Sequence, residues 1–306
     1  MRKTTKFGVS AALALSVSAT AVFAEEIKIA FIDPISGPFA STGSNGLHQF
    51  QFAADMLVNE KGGGLDGSTF VVDGFDNKAS PQESLIQLQV AIDQGYNYIV
   101  QGNSSGVAHA LTDAIEKHNK RNPDSRVLFL NYSAVDPALT NEDCNCGHFP
   151  LDANADIKMD VLTDVIAGQD DIKKVYLIGQ DYSFGKAVAA AANKMLGEKR
   201  PDIEIVGDEL HPIGKVKDFT PYARKITASG ADAVITGNWG ADMLGLGKAL
   251  VANGYTGPLF TYYAAGSGIT AAFGDAGKDV IRLVSEGQIN PPPNPEAESY
   301  YKAYKA

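Results

Sequence analysis

The sequence predicts an α/β protein with two lobes, each built on a parallel β-sheet that is covered by helices on both faces. Strand-like segments alternate with helix-period segments along the chain, and the strands are apolar on both sides, as in buried parallel sheets. A polar, turn-rich stretch over residues 135–152 divides this alternation into two runs. The 306 residues are also enough for two domains of ordinary size.

The first run has one particularly well-marked helix. Ser80 is a good N-cap residue, Pro81 suits the first helical position, Glu83 completes a capping box and Gly95 ends the helix. Its predicted buried stripe is Leu85, Leu88 and Ile92. In this run the predicted strands are residues 27–33, 69–76, 96–101 and 126–132, and the helices are 46–63, 80–95 and 105–120.

The second run repeats this pattern after the polar stretch. Near its end, the segment NPPPNP at residues 290–295 predicts a rigid connector. The predicted strands are residues 173–180, 203–209, 232–238 and 258–263, and the helices are 154–167, 185–199, 219–229 and 240–253.

Residues 1–24 predict a cleavable secretory signal peptide. Basic residues open the segment, an apolar run follows, and Val22 and Ala24 occupy the −3 and −1 positions of a cleavage site. The run is too short to span a membrane comfortably. We therefore expect a mature N-terminus at Glu25 and export, most simply to a bacterial periplasm.

The charge of the chain argues against two classes of partner. The formal net charge is −10, and loss of the three basic residues of the signal peptide leaves −13. Nucleic acids and anionic lipid surfaces both require a basic footprint on the protein. We therefore expect neither as a partner.

The only two cysteines, Cys144 and Cys146, lie in the segment NEDCNCGHF. With His148 they give a C-x-C-x-H pattern that supplies at most three metal ligands, and no similar cluster completes a tetrahedral site. A strained disulfide is the other possibility in an oxidising compartment. We interpret the pair as a loop feature and predict no metal site and no cofactor.

Polar and aromatic residues follow the predicted strands of both runs. In open α/β sheets, ligands bind beyond the carboxyl ends of the strands. We therefore expect the segments after the strands to meet in a ligand cleft between the two lobes. These segments are residues 33–42, 102–106, 131–137, 179–185, 237–242 and 261–268.

Several linked motifs resemble those of the periplasmic type I substrate-binding proteins of ABC transporters, in the leucine/isoleucine/valine-binding branch. They include IKIAFIDPISGPFASTG, GNSSGV, NYSAVDPALTNE, GQDYSFGK and ITGNWGADM, in the family's order and spacing. The resemblance implies a monomeric, non-catalytic receptor with two Rossmann-like lobes joined by three crossing segments. It also implies a small-molecule ligand that is passed to a membrane ABC permease.

The same resemblance gives the expected domain limits. After the signal peptide, the first lobe is expected at residues 25–149, the second at 150–282, and a segment returning to the first lobe at 283–306. The family continues through further helices and a third crossing, so we expect the natural protein to extend beyond residue 306. A ligand sensor for a signalling receptor is a further possibility that sequence does not separate from a transport receptor.

The segment GNSSG also fits the G-x-S-x-G pattern of a hydrolase, with Ser104 as nucleophile. This alternative, an exported serine hydrolase, lacks a clear base and an H-G-G-G oxyanion motif. Ser104 and Ser105 instead lie at a predicted helix N-terminus, where backbone N–H groups and hydroxyls favour an anion. We expect a carboxylate cradle here; simple capping of the helix is the structural alternative. The resemblance assigns the same role to this loop and to the one containing Ser133 and Ala134.

The chain departs from the family where an amino-acid ligand's ammonium group is held. The family's acidic partner corresponds to Ala264, and no acidic residue occurs between Thr256 and Asp275. Thr42 and Val135 replace a covering aromatic residue and a Thr. Asp181, or a cation–π face of Trp239 or Tyr262, is a possible substitute. We predict a preference for carboxylates that lack a free ammonium. The expected ligand-binding residues are Asn103, Ser104, Ser105, Tyr132, Ser133, Ala134, Asp181, Phe184, Trp239 and Tyr262.

Overall fold

The computed structural model describes residues 25–64, 66–265, 269–284 and 294–305. The predicted signal peptide and most of the predicted proline-rich connector lie outside these residues. Within the described residues the chain forms two five-stranded, all-parallel sheets flanked by helices, which confirms the predicted fold class. In the same part of the chain, every helix is too short or too polar to cross a membrane.

Strands and helices alternate through both lobes. The strands are β1 (Glu26–Asp33), β2 (Thr69–Asp76), β3 (Tyr98–Gln101), β4 (Leu128–Asn131), β5 (His148–Pro150), β6 (Lys174–Gln180), β7 (Glu204–His211), β8 (Ala233–Thr236), β9 (Leu259–Thr261) and β10 (Ile281–Leu283). The helices are α1 (Ala40–Leu57), α2 (Pro81–Asp93), α3 (Ser105–Arg121), α4 (Ala155–Ala167), α5 (Ser183–Lys199), α6 (Thr220–Ser229), α7 (Gly240–Ala252), α8 (Ile269–Phe273) and α9 (Pro295–Lys305).

The central strands of each sheet are buried on both faces, which explains why they are largely apolar. The first sheet has the order β2-β1-β3-β4-β5 and the second β10-β9-β8-β6-β7. On β1, Ile32 belongs to one core cluster and its neighbour Phe31 to another on the opposite face. On β6, Leu177 and Ile178 divide between two clusters in the same way. We call the first sheet with α1–α3 the first lobe, and the second sheet with α4–α8 the second lobe.

The first helix begins earlier than predicted. The sequence predicted a loop at residues 33–42 and a helix at 46–63, but α1 begins at Ala40, directly after a 3₁₀ turn at Gly37–Phe39. The first turns of α1 consist mostly of small and polar residues, so they lack the apolar periodicity on which the prediction rested. The helix therefore carries polar side chains where the sequence predicted a binding loop.

The N-cap and the end of α2 are confirmed, and its predicted buried stripe is right for Leu88 and wrong for Leu85. The capping box is only half formed, because the backbone N–H of Ser80 donates to the Asn77 carbonyl. The Ser80 hydroxyl accepts a hydrogen bond from the backbone N–H of Glu83 at 3.3 Å, and Gly95, just past the end of the helix, has a positive φ of 82°. Leu85 is 41% exposed. The buried face, which small residues shape for close packing on α3, is Ser84, Leu88 and Ala91.

Glycine brings a helix N-terminus unusually close to a strand end in each lobe. A Cβ placed on Gly43 in α1 would lie 2.0 Å from the carbonyl oxygen of Pro34, just past β1. A Cβ placed on Gly185 in α5 would lie 1.8 Å from the carbonyl oxygen of Gln180, at the end of β6. Only glycine permits these approaches, so both helix N-termini are fixed against the edge where the strands end.

The last described helix packs on the first lobe. The rings of Tyr300 and Tyr304 in α9 both make edge contacts with Phe52 of α1, at centroid distances of 5.3 Å. The Tyr304 hydroxyl also donates to the Asn45 side-chain oxygen at 3.0 Å. The chain thus returns from β10 of the second lobe to the surface of α1.

Candidate functional site

A cavity of about 210 Å³ lies between the two lobes, at the edge where the strands of both sheets end. Both lobes contribute residues to its lining, and most of them come from the segments that follow strands. The lining consists of Thr42, Asn45, Gly46, Gln49, Gly102, Asn103, Ser104, Ser105, Tyr132, Ser133, Ala134, Val135, Tyr182, Phe184, Trp239, Gly240, Tyr263 and Ile269.

The GNSSG segment forms one wall of this cavity. Ser104 is the N-cap residue of α3, but its side chain makes no capping hydrogen bond. Its φ of 85° is a positive value that few non-glycine residues adopt, and such strain is concentrated at functional sites. Ser105 begins the helix, and its hydroxyl accepts a hydrogen bond from the backbone N–H of Asp136 at 3.2 Å. Helix capping is therefore not the role of the Ser104 hydroxyl.

A buried carboxylate holds this wall in place. Asp33, at the end of β1, is 0% exposed. It accepts hydrogen bonds from the backbone N–H of Asn103 at 3.1 Å, the Asn103 amide at 3.0 Å, the backbone N–H of Gly102 at 3.3 Å and the Tyr132 hydroxyl at 2.6 Å. Burial raises the pKa of Asp33 to about 7, although these hydrogen bonds oppose the shift. Asp33 thus fixes three residues of the lining without belonging to it.

The second lobe supplies an aromatic wall. The Trp239 indole N–H donates to the Tyr182 hydroxyl at 2.8 Å, and both residues line the cavity. Behind them, the Asp242 carboxylate accepts from the Gln180 side chain and from the backbone N–H of Gly214, each at 2.8 Å. Burial raises the pKa of Tyr182 well above its usual range, so this hydroxyl remains protonated.

Four of the longer helices reach the cavity with their first turns, two from each lobe. The lining includes N-cap or first residues of α3 (Ser104, Ser105), α5 (Tyr182) and α7 (Trp239, Gly240), and Thr42 from the first turn of α1. The short helix α8 also begins at the lining, with Ile269. The side chains of the four N-cap residues make no capping hydrogen bond; these residues are Phe39, Ser104, Tyr182 and Trp239. Outside the lining, α2 and α4 are capped by Ser80 and Asn154, whereas α6 has no side-chain cap.

The lining is uncharged. Among the described residues that form it, none is Asp, Glu, Lys, Arg or His. Helix N-termini carry partial positive charge and free N–H donors. These N-termini therefore favour a negative group, and their N–H donors suit oxygen acceptors.

Eight of the ten residues expected to bind ligand meet in this cavity. The other two do not line it. Asp181 is exposed and pairs with Lys186 at 3.3 Å, whereas Tyr262 is 2% exposed in the core of the second lobe. In each case the next residue lines the cavity instead, because successive side chains at a strand end point in opposite directions. These next residues are Tyr182 and Tyr263.

The contribution of α1 and the role of Asp33 were not predicted from the sequence. Asn45, Gly46 and Gln49 line the cavity from α1, although the binding segment was expected to stop at residue 42. Asp33 had a sequence signal, because it is an acidic residue that directly follows the apolar residues 29–32 of β1. Among the positions where the chain departs from the family pattern, Thr42 and Val135 line the cavity, and Ala264 is buried outside the lining.

No histidine or cysteine is among the described residues that line the cavity with Ser104. Both ring nitrogens of His109 contact carboxylates, Asp136 at 3.0 Å and Asp143 at 2.9 Å, and the hydrogen bond with Asp136 raises the pKa of the imidazole. His148 is buried beside Asn131, 3.1 Å from its amide. Cys144 and Cys146 are exposed free thiols. Within the described residues, no cluster of three or more His, Cys, Asp or Glu side chains is arranged to hold a metal.

The fold and the interlobe cavity together define a two-lobed binding protein, and comparison with known proteins identifies its family. The family model described as periplasmic binding protein matches residues 26–306, so the chain belongs to the periplasmic binding protein family. This family consists of substrate-binding proteins.

Among individual proteins, the chain is 33% identical over 292 residues to Leu/Ile/Val-binding protein homolog 4 of Brucella abortus, covering 95% of this chain and 67% of the relative. It also resembles the closed form of the leucine-, isoleucine-, valine-, threonine- and alanine-binding protein of Brucella ovis, with 32% identity, a TM-score of 0.71, and coverage of 92% and 71%. A solute-binding protein of R. palustris in complex with benzoate shares the fold, with 18% identity, a TM-score of 0.77, and coverage of 92% and 73%.

The comparisons therefore support a receptor that binds a small molecule.

Proposed function

We propose that this protein is a non-catalytic periplasmic receptor for a small organic carboxylate without a free ammonium group, which it delivers to a membrane ABC permease. The observation that carries the proposal is the pairing of an uncharged lining with uncapped helix N-termini from both lobes. The export signal at residues 1–24 fits this location, and we expect the mature chain to begin at Glu25.

The carboxylate is expected at the GNSSG wall. The Ser104 hydroxyl is not used for capping, and the start of α3 offers backbone N–H donors. Asp33 holds Gly102 and Asn103 in position from behind, so the wall is organised before a ligand arrives. Preorganised donors lose little entropy on binding.

An ammonium group finds no suitable partner in the described lining. Asp33 is fully buried behind Asn103 and Tyr132, which already donate to it, and Asp181 is exposed and paired with Lys186. A buried cation without a paired anion is costly. The proposed ligand therefore differs from the ligands named for the Brucella relatives, which are amino acids.

The remaining walls suit a flat, apolar body. Five aromatic side chains line the cavity, and aromatic rings offer large contact areas to other rings. The fold neighbour from R. palustris holds benzoate, which has this combination of a ring and a carboxylate. The five aromatic residues are Tyr132, Tyr182, Phe184, Trp239 and Tyr263.

Competition binding tests the ligand class. We expect benzoate and branched aliphatic acids to bind, and leucine and valine to compete poorly, because their ammonium would be buried unpaired. The measurement is isothermal titration calorimetry of each compound, followed by displacement. Tight leucine binding with no response to aromatic or branched acids would overturn the proposed ligand class and leave the receptor function in place.

Replacing Ser104 by alanine is expected to weaken binding of the carboxylate by roughly 1–3 kcal/mol, or about 5- to 150-fold, because one donor to a buried anion is lost. Calorimetry with the acid that binds the wild-type protein measures this. Ser229→Ala at the end of α6, whose hydroxyl bonds the Ile226 carbonyl away from the cavity, is the control. Equal affinity of Ser104→Ala and Ser229→Ala would place the carboxylate elsewhere.

The hydrolase alternative predicts chemistry at the same serine. A serine nucleophile needs a neighbouring base, and His109 is instead held between Asp136 and Asp143. We therefore expect no labelling of Ser104 by a fluorophosphonate probe, as judged by mass spectrometry of the intact protein. Labelling at Ser104 would support the hydrolase alternative.

A further inference from the structure

Phe39 of the first lobe is buried in the second lobe. It follows β1 in the 3₁₀ turn Gly37–Phe39, yet it belongs to the core cluster formed by α4, α5 and the second sheet. Only 4% of the residue is exposed. Its ring lies on Trp239, with centroids 4.1 Å apart and planes inclined by 32°. This contact crosses between the lobes without involving a ligand.

Two glycines of the second lobe form a slot for this ring. A Cβ at Gly214 would lie 2.8 Å from Cε2 of Phe39, and a Cβ at Gly240 would lie 2.7 Å from its Cδ1. Both distances are shorter than a normal van der Waals contact. The ring of Phe39 therefore occupies the volume that side chains at these two positions would require.

The slot is held by a hydrogen bond from its own lobe. The backbone N–H of Gly214 donates to Asp242, whose carboxylate also accepts from Gln180. Gly240 begins α7 and lines the cavity next to Trp239. The slot and the aromatic wall of the cavity are thus parts of one structure.

We propose that Phe39 is a positioning residue that seats Trp239 at the cavity and holds the lobes together before a ligand binds. It touches Trp239 from the side of the first lobe, and its ring fits the slot only when the lobes are close together. When more of the ligand-free protein is already closed, less of the binding free energy is used to close the lobes. The apparent affinity of the ligand therefore increases with the closed fraction. This last step rests on the proposed function, whereas the contact between the lobes does not.

The test adds one methyl group to the slot. Gly214→Ala introduces a Cβ whose three nearest neighbours are all atoms of the Phe39 ring. Gly230→Ala is the matched control, because Gly230 has nearly the same φ, 69° against 65°, and nothing within 4 Å of its Cβ. Both variants carry the same backbone strain, and only one fills the slot.

We expect the radius of gyration of the ligand-free Gly214→Ala protein, measured by small-angle X-ray scattering, to exceed that of Gly230→Ala and wild type. Phe39→Ala should also open the protein. In the double variant, Gly214→Ala should cause no further opening on the Phe39→Ala background, because the colliding ring is gone. If Gly214→Ala fails to fold, Phe39→Ala alone decides, and an unchanged radius of gyration overturns the proposal.

Affinity is the second readout, for whichever of benzoate or leucine binds the wild-type protein. If the closed fraction falls tenfold, affinity should fall about tenfold in Gly214→Ala and Phe39→Ala but not in Gly230→Ala. Equal radii of gyration for Gly214→Ala and Gly230→Ala would overturn the proposal whatever the ligand is. If neither compound binds, the proposed ligand class fails while the scattering result still decides the role of Phe39.

Discussion

Gly185→Ala is expected to destabilise the protein by about 3 kcal/mol, because the new Cβ would lie 1.8 Å from the Gln180 carbonyl oxygen. That oxygen belongs to the backbone at the end of β6, so no side-chain rotation relieves the collision. The N-terminus of α5 would have to move away from the sheet and carry Tyr182 and Phe184 with it. Urea unfolding followed by circular dichroism measures the loss of stability.

The same helix provides the control. Gly197 also lies in α5, and a Cβ placed there meets nothing within 4 Å. Gly197→Ala is therefore expected to stabilise the protein by about 0.5–1 kcal/mol through helix propensity alone. If both substitutions stabilise the protein, the close approach of α5 to β6 is wrong. Gly43→Ala, against Pro34 in the first lobe, is expected to behave like Gly185→Ala.

Asp33→Ala is expected to cost about 3 kcal/mol of stability and to weaken ligand binding about 100-fold. The substitution leaves the two N–H groups and the side-chain amide of the Gly102–Asn103 segment, together with the Tyr132 hydroxyl, without their buried acceptor. Each such loss costs about 1–3 kcal/mol, and neighbouring losses are not additive. Affinity falls because the wall that carries Ser104 is no longer held in place.

The control for this prediction is Asp73→Ala. Asp73 lies on the adjacent strand β2, accepts one hydrogen bond from Tyr96 at 2.6 Å, and does not line the cavity. We expect a modest loss of stability and unchanged affinity, measured by denaturant unfolding and calorimetry. If Asp33→Ala keeps full affinity, the preorganisation argument for the GNSSG wall is contradicted.

The strands and helices of this fold could largely be read from the sequence, because buried parallel strands and capped helices leave strong local signals. Ser80 shows this, since its capping bond depends only on residues within one helical turn. The buried face of α2 was only partly predicted. Leu88 is buried as expected, but hydrophobicity also pointed to Leu85, whereas helix–helix packing selected Ser84 and Ala91. Such packing is a property of the folded partner and is not encoded in the period of α2 alone.

The site was partly predictable for a related reason. The residues that follow strand ends could be identified from the sequence as a group. The sequence does not show which of two neighbouring residues faces the cavity, so Tyr262 was predicted to line it, whereas Tyr263 does. The residues of α1 were missed because the beginning of a helix rich in small and polar residues resembles a loop. Asp33 was missed because its role depends on donors from β3 and β4, which are distant in sequence.

The division of the helix N-termini between the lobes has a kinetic consequence. A ligand held by α1 and α3 on one side and by α5 and α7 on the other loses half of these contacts in a single movement when the lobes separate. The residence time of the ligand is then expected to follow the rate of opening, which for hinged domains lies in the microsecond-to-millisecond range or slower. A membrane partner that pulls the lobes apart would release the ligand without competing for it.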